Sequence, residues 1–141
     1  MVHHRRLFNN IMLVEDDEDD QQFFLEALKA VRENASCRIA NNGEEALHLL
    51  RQAGWRPDFI FLDLNMPRIN GKQFLEGIKG NELWSNIPVI VYSTSSFEEE
   101  KRACVQAGAT GFIVKPFSFA ALCETLSTVF NSLLASHQEP H

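Results

Sequence analysis

The stretch that decides the fold is residues 11–20, IMLVEDDEDD, in which four apolar residues are followed at once by six acidic ones. Continuous apolarity over four residues predicts a strand buried on both faces, as in a parallel sheet covered by helices. The acidic run accounts for the whole formal charge of −6, because the other 13 acidic residues balance the 13 basic ones. A charge run is usually a solvated surface. One that begins where a buried strand ends instead predicts a site for a cation or a proton, which relieves the repulsion between carboxylates.

The bulk composition narrows the class of protein. A chain of 141 residues predicts one domain with a single core, and a net charge of −6 argues against nucleic acid as a direct partner. Cys37, Cys104 and Cys123 have no CxxC spacing, which indicates reduced thiols of a cytoplasmic protein. No apolar stretch of 18 residues and no apolar signal core appear, so neither a membrane span nor secretion is predicted.

Short apolar runs alternate with helical patterns along the chain. Beyond the first strand, four further strands are predicted at 37–40, 59–62, 89–92 and 112–114. Gly54, Gly80 and Gly108 end three of the intervening helices, and Ser118 caps the last. Five strands alternating with five helices predict an α/β fold with a parallel sheet and helices on both faces. The predicted domain covers residues 8–134, with short flexible tails at 1–7 and 135–141.

Polar residues follow each of the four strong strands. The first strand is followed by Glu15-Asp16, the third by Asp63, the fourth by Ser93 and the fifth by Lys115. Because the carboxyl ends of parallel strands share one edge of a sheet, these side chains are expected to converge there. Each like-charge pair at 4 Å costs about 4 kcal/mol at an effective dielectric of about 20. Carboxylate ligands without histidine or cysteine favour Mg²⁺ over zinc.

This set of groups suits phosphoryl transfer. An anionic nucleophile attacks phosphorus, a metal neutralises charge on the phosphoryl oxygens, and a cation and a hydroxyl hold the others. No glycine-rich loop is present to bind a nucleotide phosphate. The donor is therefore expected to bring its own activated phosphoryl group.

Four segments resemble the receiver domain of two-component response regulators. They are residues 13–17 (LVEDD), 61–71 (FLDLNMPRING), 93–94 (ST) and 114–117 (VKPF). They occur in the family's order and with closely matching spacing, and the resemblance covers about residues 8–134. It implies the flavodoxin-like (βα)5 form of the α/β fold.

The resemblance also implies a metal-dependent acceptor. Asp63 would accept the phosphoryl group as an acyl phosphate. Asp16 and Asp63 would ligate Mg²⁺ directly together with the backbone carbonyl of Asn65, and Glu15 would help through water. Such a domain catalyses only its own phosphorylation and dephosphorylation, so it is a switch rather than an enzyme.

Further roles follow from the same resemblance. Lys115 and Ser93 would each hold a phosphoryl oxygen, and Ser93 would move its loop. Phe112 would be the aromatic residue that turns inward with that loop, although without the resemblance it is better interpreted as a core residue. The Lys115-Pro116 peptide bond is expected to be cis, as only about 5% of X-Pro bonds are.

The sequence departs from the family pattern at two neighbouring positions. Ser93 stands where threonine is commoner, so the hydroxyl remains but the methyl group that helps to fix its rotamer is lost. Thr94 stands where alanine or glycine is usual, and its larger side chain is expected to narrow access to Asp63 or to slow transfer.

The sequence thus predicts a stand-alone receiver with Mg²⁺ as cofactor. The phosphoryl donor would be a histidine kinase or a phosphotransfer protein, and the signal would pass to a protein partner through the face of the fourth helix, fifth strand and fifth helix. A monomer or weak homodimer is expected. One alternative is a phosphorylation-independent interaction scaffold. Another is a phosphatase with an aspartate nucleophile, which would commonly need a second acid where neutral Asn65 stands.

Overall fold

The computed structural model describes residues 10–66, 70–95 and 97–137, with only the backbone described for 133–137. All five predicted strands are present, as β1 (Asn10–Val14), β2 (Ser36–Ala40), β3 (Phe59–Asp63), β4 (Val89–Ser93) and β5 (Gly111–Val114). The helices between and after them are α1 (Glu18–Val31), α2 (Gly43–Arg51), α3 (Gly71–Lys79), α4 (Glu98–Gln106) and α5 (Phe119–His137). The alternation predicted from the sequence is therefore confirmed.

The predicted domain bounds, 8–134, stay a prediction, but the last helix extends into the segment predicted as a C-terminal tail. Helix α5 continues through residues 135–137, because Leu133, Leu134 and Ala135 are good helix formers that extend the same turn. The predicted tail at 1–7 and the rest of the C-terminal one, 138–141, lie outside the described residues.

The five strands form one parallel sheet in the order β2-β1-β3-β4-β5. The first and third strands are neighbours, with Val14 opposite Leu62, and the last two strands pair Ser93 with Val114. All five carboxyl ends therefore lie at one edge, as the sequence predicted.

Each face of the sheet carries its own core. Met12 and Val14 of β1 face a cluster formed with α2, α3 and α4. Ile11 and Leu13 face a second cluster, formed with α1 and α5. All four of these side chains are fully buried. Burying each side chain stabilises the fold by about 1.5–3 kcal/mol. The continuous apolar run that predicted a parallel sheet therefore also packs against helices on both faces of that sheet.

The acidic run divides between a loop and a helix start. The Asp17 side chain caps α1 by accepting a hydrogen bond from the Asp20 backbone amide (3.3 Å), and Glu18, Asp19 and Asp20 form the first helical turn. Negative charge there is favoured by the helix dipole. Ser118 caps α5 as predicted, because its Oγ accepts from the Ala121 amide at 3.1 Å.

Gly108 is expected to tolerate no side chain. Its φ is +111°, and an added Cβ would lie 2.5 Å from Lys79 Cγ. Lys79 cannot move away cheaply, because its ammonium donates to the carbonyls of Ser85 (3.2 Å) and Ile87 (2.7 Å). Left-handed strain and overpacking together predict that Gly108→Ala lowers the free energy of unfolding by about 2–4 kcal/mol, measured by urea denaturation.

The matched control is Gly77→Ala. Gly77 lies on the exposed side of α3, and an added Cβ would meet no atom within 4 Å. In a helix interior alanine is better than glycine by about 0.5–1 kcal/mol, so this variant should be as stable as the parent chain or more so. Equal effects from the two substitutions would contradict the assignment at Gly108.

Within the part of the chain that the structure describes, no helix is long and apolar enough to cross a membrane.

Candidate functional site

The polar residues that follow the strands do converge at the carboxyl edge of the sheet. Glu15 directly follows β1, Asp63 and Ser93 are the last residues of β3 and β4, and Lys115 directly follows β5. Glu15 and Asp63 are each 1% exposed and Ser93 is 0% exposed. Buried polar groups require partners, so the contacts among these residues define the site.

Three carboxylates form one cluster. Glu15, Asp16 and Asp63 can each place an oxygen within 4.8 Å of the other two, and Asp16 is exposed whereas the other two are buried. Three hard oxygen donors open to solvent on one side match Mg²⁺, which keeps several waters and takes one or two carboxylates. The Asn65 amide donates to Asp63 Oδ1 at 2.8 Å, so the turn after β3 holds the Asn65 backbone beside the cluster. The donor set therefore fits the predicted metal.

Lys115 neutralises the cluster from the other side. Its Nζ lies 3.1 Å from Glu15 Oε1, 3.1 Å from Asp20 Oδ2 and 3.3 Å from Asp63 Oδ1. The side chain is 10% exposed. Burial opposes its charge, but the charges of Asp63 and Glu15 outweigh burial and raise the pKa of Lys115 above its usual range. The ammonium is therefore a fixed positive charge beside Asp63.

Glu15 is the carboxylate whose proton affinity changes most clearly. Burial, followed by the hydrogen bond with Asp63 and the charge of Asp63, raises the pKa of Glu15 to about 7, and Lys115 only partly offsets the rise. A second cation beside Glu15 would favour its charged form at neutral pH. This is the electrostatic reason for a metal that the acidic run predicted.

The sequence did not reveal two neighbours of Lys115. Asp20 is one of the charges in the first turn of α1, and its carboxylate also pairs with the ammonium. Tyr92 places its buried ring 5.1 Å from Lys115 Nζ, as a cation–π contact. One signal was available for Tyr92: it is the last residue of the predicted strand that Ser93 follows, next to the edge where Lys115 was expected.

The β4–α4 loop is tied to the site by three hydrogen bonds. Asn65 Oδ1 accepts from the Thr94 amide at 2.9 Å, which joins this loop to the one after β3. Ser93 Oγ accepts from the Ser95 amide at 3.1 Å and lies 3.4 Å from Glu100 Oε1. Thr94 itself is exposed; its expected effect on transfer stays a prediction.

Two predicted switch features have different outcomes. Phe112 is partly buried against the core cluster on the α2, α3 and α4 side of the sheet, and its role as a switch stays a prediction. The prediction of a cis Lys115-Pro116 bond is wrong, because no peptide bond in the described ranges is cis. The trans form is favoured by about 0.5–1 kcal/mol before proline, and Lys115 makes all its contacts with the bond in that form.

Comparison with known proteins gives consistent results. A family model described as "Response regulator receiver domain" matches residues 11–127. The chain is 35% identical over 94 residues to chemotaxis protein CheY-3 of Vibrio cholerae serotype O1, covering 67% of this chain and 71% of that protein.

Solved structures agree in fold. The phosphorylated cyanobacterial phytochrome response regulator RcpA matches with a TM-score of 0.78 and 30% identity, covering 87% of this chain and 91% of that one. The Mn²⁺-bound form of response regulator Rcp1 matches with a TM-score of 0.76 and 30% identity, covering 89% and 94%. The predicted flavodoxin-like fold is confirmed, and with the family match over most of its length this chain belongs to the response regulator receiver domains of two-component systems.

Proposed function

We propose that this chain is a Mg²⁺-dependent phospho-acceptor switch in which Asp63 receives a phosphoryl group from a histidine kinase or a phosphotransfer protein. The observation that carries the proposal is the position of Asp63: its carboxylate is buried, belongs to a three-carboxylate cluster and lies 3.3 Å from Lys115 Nζ. Nucleophile, metal ligands and a fixed cation thus meet at one point. A surface aspartate would have none of these neighbours.

In the transfer step an oxygen of Asp63 attacks the phosphorus of a phosphohistidine. The new O–P bond makes an acyl phosphate while the N–P bond breaks, and the imidazole leaves with the electron pair and takes up a proton. The Asn65 amide, which donates to Asp63 Oδ1, holds the carboxylate in one orientation for this attack.

The charge of the incoming phosphoryl group needs compensation. Glu15, Asp16 and Asp63 would hold Mg²⁺ with the backbone carbonyl of Asn65, Glu15 acting through water. When bound, this ion supplies positive charge next to the phosphoryl oxygens. Lys115 would pair with one phosphoryl oxygen, since its ammonium is already beside Asp63. The relatives support this chemistry, because RcpA has been solved phosphorylated and Rcp1 with Mn²⁺.

The signal would leave through a protein partner in the cytoplasm. Four apolar side chains in α4, β5, the β5–α5 loop and the first turn of α5 are exposed: Val105 (53%), Val114 (48%), Phe117 (99%) and Phe119 (42%). Exposed apolar side chains in these consecutive elements favour this region as a protein contact. Ser93 would hydrogen-bond another phosphoryl oxygen, moving the loop that leads into α4, and Phe112 would turn inward with it.

The test is phosphorylation by a small donor. The protein is incubated with acetyl phosphate in the presence of Mg²⁺ or of EDTA, and the intact mass is measured before and after mild base. We expect one base-labile phosphoryl group per chain with Mg²⁺ and background levels with EDTA, because the carboxylates otherwise repel the donor. Labelling that is equal in EDTA would contradict the metal role, and no labelling with any donor would favour an interaction scaffold.

A further inference from the structure

The hydroxyl of Ser93 is held between two partners in this structure. Ser93 is fully buried at the end of β4. The backbone amide of Ser95 donates to its Oγ at 3.1 Å, and the Glu100 carboxylate oxygen Oε1 lies 3.4 Å from the same atom. Glu100 belongs to the first turn of α4, so this contact joins the end of the strand directly to the helix.

The direction of these bonds follows from donor and acceptor chemistry. A serine hydroxyl has one proton to donate. An amide N–H can only donate, so Ser93 Oγ is the acceptor towards Ser95. A carboxylate can only accept, so the hydroxyl proton points towards Glu100. A phosphoryl oxygen on Asp63 would be a second acceptor, and it would need that same proton.

We propose that Glu100 is a positioning residue that retains the Ser93 hydroxyl in the unphosphorylated protein and competes with the phosphoryl group for it. The inference rests on the proposed function of Asp63. On phosphorylation, the Ser93 hydroxyl would donate its hydrogen bond to the phosphoryl group instead of to Glu100. The first turn of α4 would then lose its contact with the end of β4. The same competition would lower the occupancy of the phosphorylated state.

The position of Glu100 separates it from its acidic neighbours. Glu98 and Glu99 are exposed, whereas Glu100 is half-buried and directed at the strand end. All three carry the same charge in the same helical turn. If only negative charge near the site mattered, all three glutamates would have similar effects. If the contact with Ser93 matters, only Glu100 would have the effect.

The experiment measures the steady-state phosphorylated fraction of the whole chain against acetyl phosphate concentration, with saturating Mg²⁺. Glu100→Ala should reduce the half-saturating concentration by about two- to tenfold, the range for loss of one competing hydrogen bond. Glu100→Gln keeps an acceptor oxygen and should lie between Glu100→Ala and the parent chain. Glu99→Ala, the matched control, should leave the value within about a factor of two.

A double-mutant cycle distinguishes competition for the hydroxyl from a structural effect. In a Ser93→Ala background, Glu100→Ala should change the half-saturating concentration no more than Glu99→Ala does. An undiminished effect in that background, or equal effects of Glu100→Ala and Glu99→Ala in the parent background, would overturn the proposal.

A second measurement does not depend on phosphorylation. Ser93→Ala and Glu100→Ala each remove the hydrogen bond between Ser93 and Glu100. Their effects on amide hydrogen exchange in the first turn of α4 should therefore not be additive. Additive effects would overturn the retention of Ser93 by Glu100. Absence of any labelling in the parent chain would instead count against the function of Asp63, so the two failures can be told apart.

Discussion

Asp63→Asn is expected to reduce labelling by acetyl phosphate to background, with Mg²⁺ present. The amide nitrogen that replaces one oxygen is not nucleophilic, and the amide offers only one oxygen where the carboxylate offered two. The substitution is nearly isosteric, and the amide oxygen can still accept the hydrogen bond that Asn65 donates to Oδ1. The protein should therefore remain folded, and the measurement is the intact mass after incubation with the donor.

Asp20→Asn is the matched control for this loss. It also removes a carboxylate from the Lys115 ammonium, at 3.1 Å, but the Asp20 side chain is 45% exposed and lies in the first turn of α1. Labelling should persist in this variant. A base-labile phosphoryl group on Asp63→Asn, or equal loss in both variants, would show that Asp63 is not the acceptor.

Lys115→Met is expected to destabilise the metal-free protein by about 2–3 kcal/mol. Breaking a buried ion pair by removing one partner typically costs about 3–5 kcal/mol. Here the cost is reduced, because Glu15 can take up a proton; burial and Asp63 already raise its pKa to about 7. The exposed Asp20 contributes little, since ion pairs with such groups are worth about 1 kcal/mol or less. Urea denaturation in EDTA measures the difference.

Added Mg²⁺ should recover most of that loss. In the parent chain the ammonium already neutralises part of the carboxylate charge, so bound Mg²⁺ would add less stability there. In Lys115→Met the metal is the only cation left, and stabilisation by a ligand grows with its affinity. Lys101→Met, on the exposed surface of α4, should change stability by about 0.5 kcal/mol or less in either condition. A Mg²⁺ response in Lys115→Met that does not exceed that of the parent would contradict this account.

The sequence predicts the main features of the site because they depend on short-range rules. Apolar runs define the strands, and parallel strands bring their carboxyl ends to one edge, so Glu15, Asp63, Ser93 and Lys115 could be placed together without coordinates. The structure adds how the acidic run divides: Glu15 and Asp16 precede the helix, and Asp17 caps α1.

The finer contacts could not be predicted, because they depend on the direction of individual side chains. Asp20 and Glu100 each lie in a first helical turn, where a helix dipole explains an acidic residue without any tertiary partner. Only the folded structure brings Asp20 to Lys115 and Glu100 to Ser93. The prediction of a cis bond before Pro116 was wrong for a related reason, because the isomer depends on packing that no motif encodes.

The ion pair between Lys115 and Glu15 joins residues 100 positions apart in the chain. Its two ends follow the first and the last strand, and Asp63 and Ser93 come from the two strands that separate them in the sheet. Closing so long a loop is entropically costly and becomes favourable only when the intervening strands have paired. A chain still emerging from the ribosome would have Asp63 long before it has Lys115. Lys115 therefore reaches the carboxylates only when the topology is complete, and formation of its ion pair with Glu15 reports that the last strand has docked.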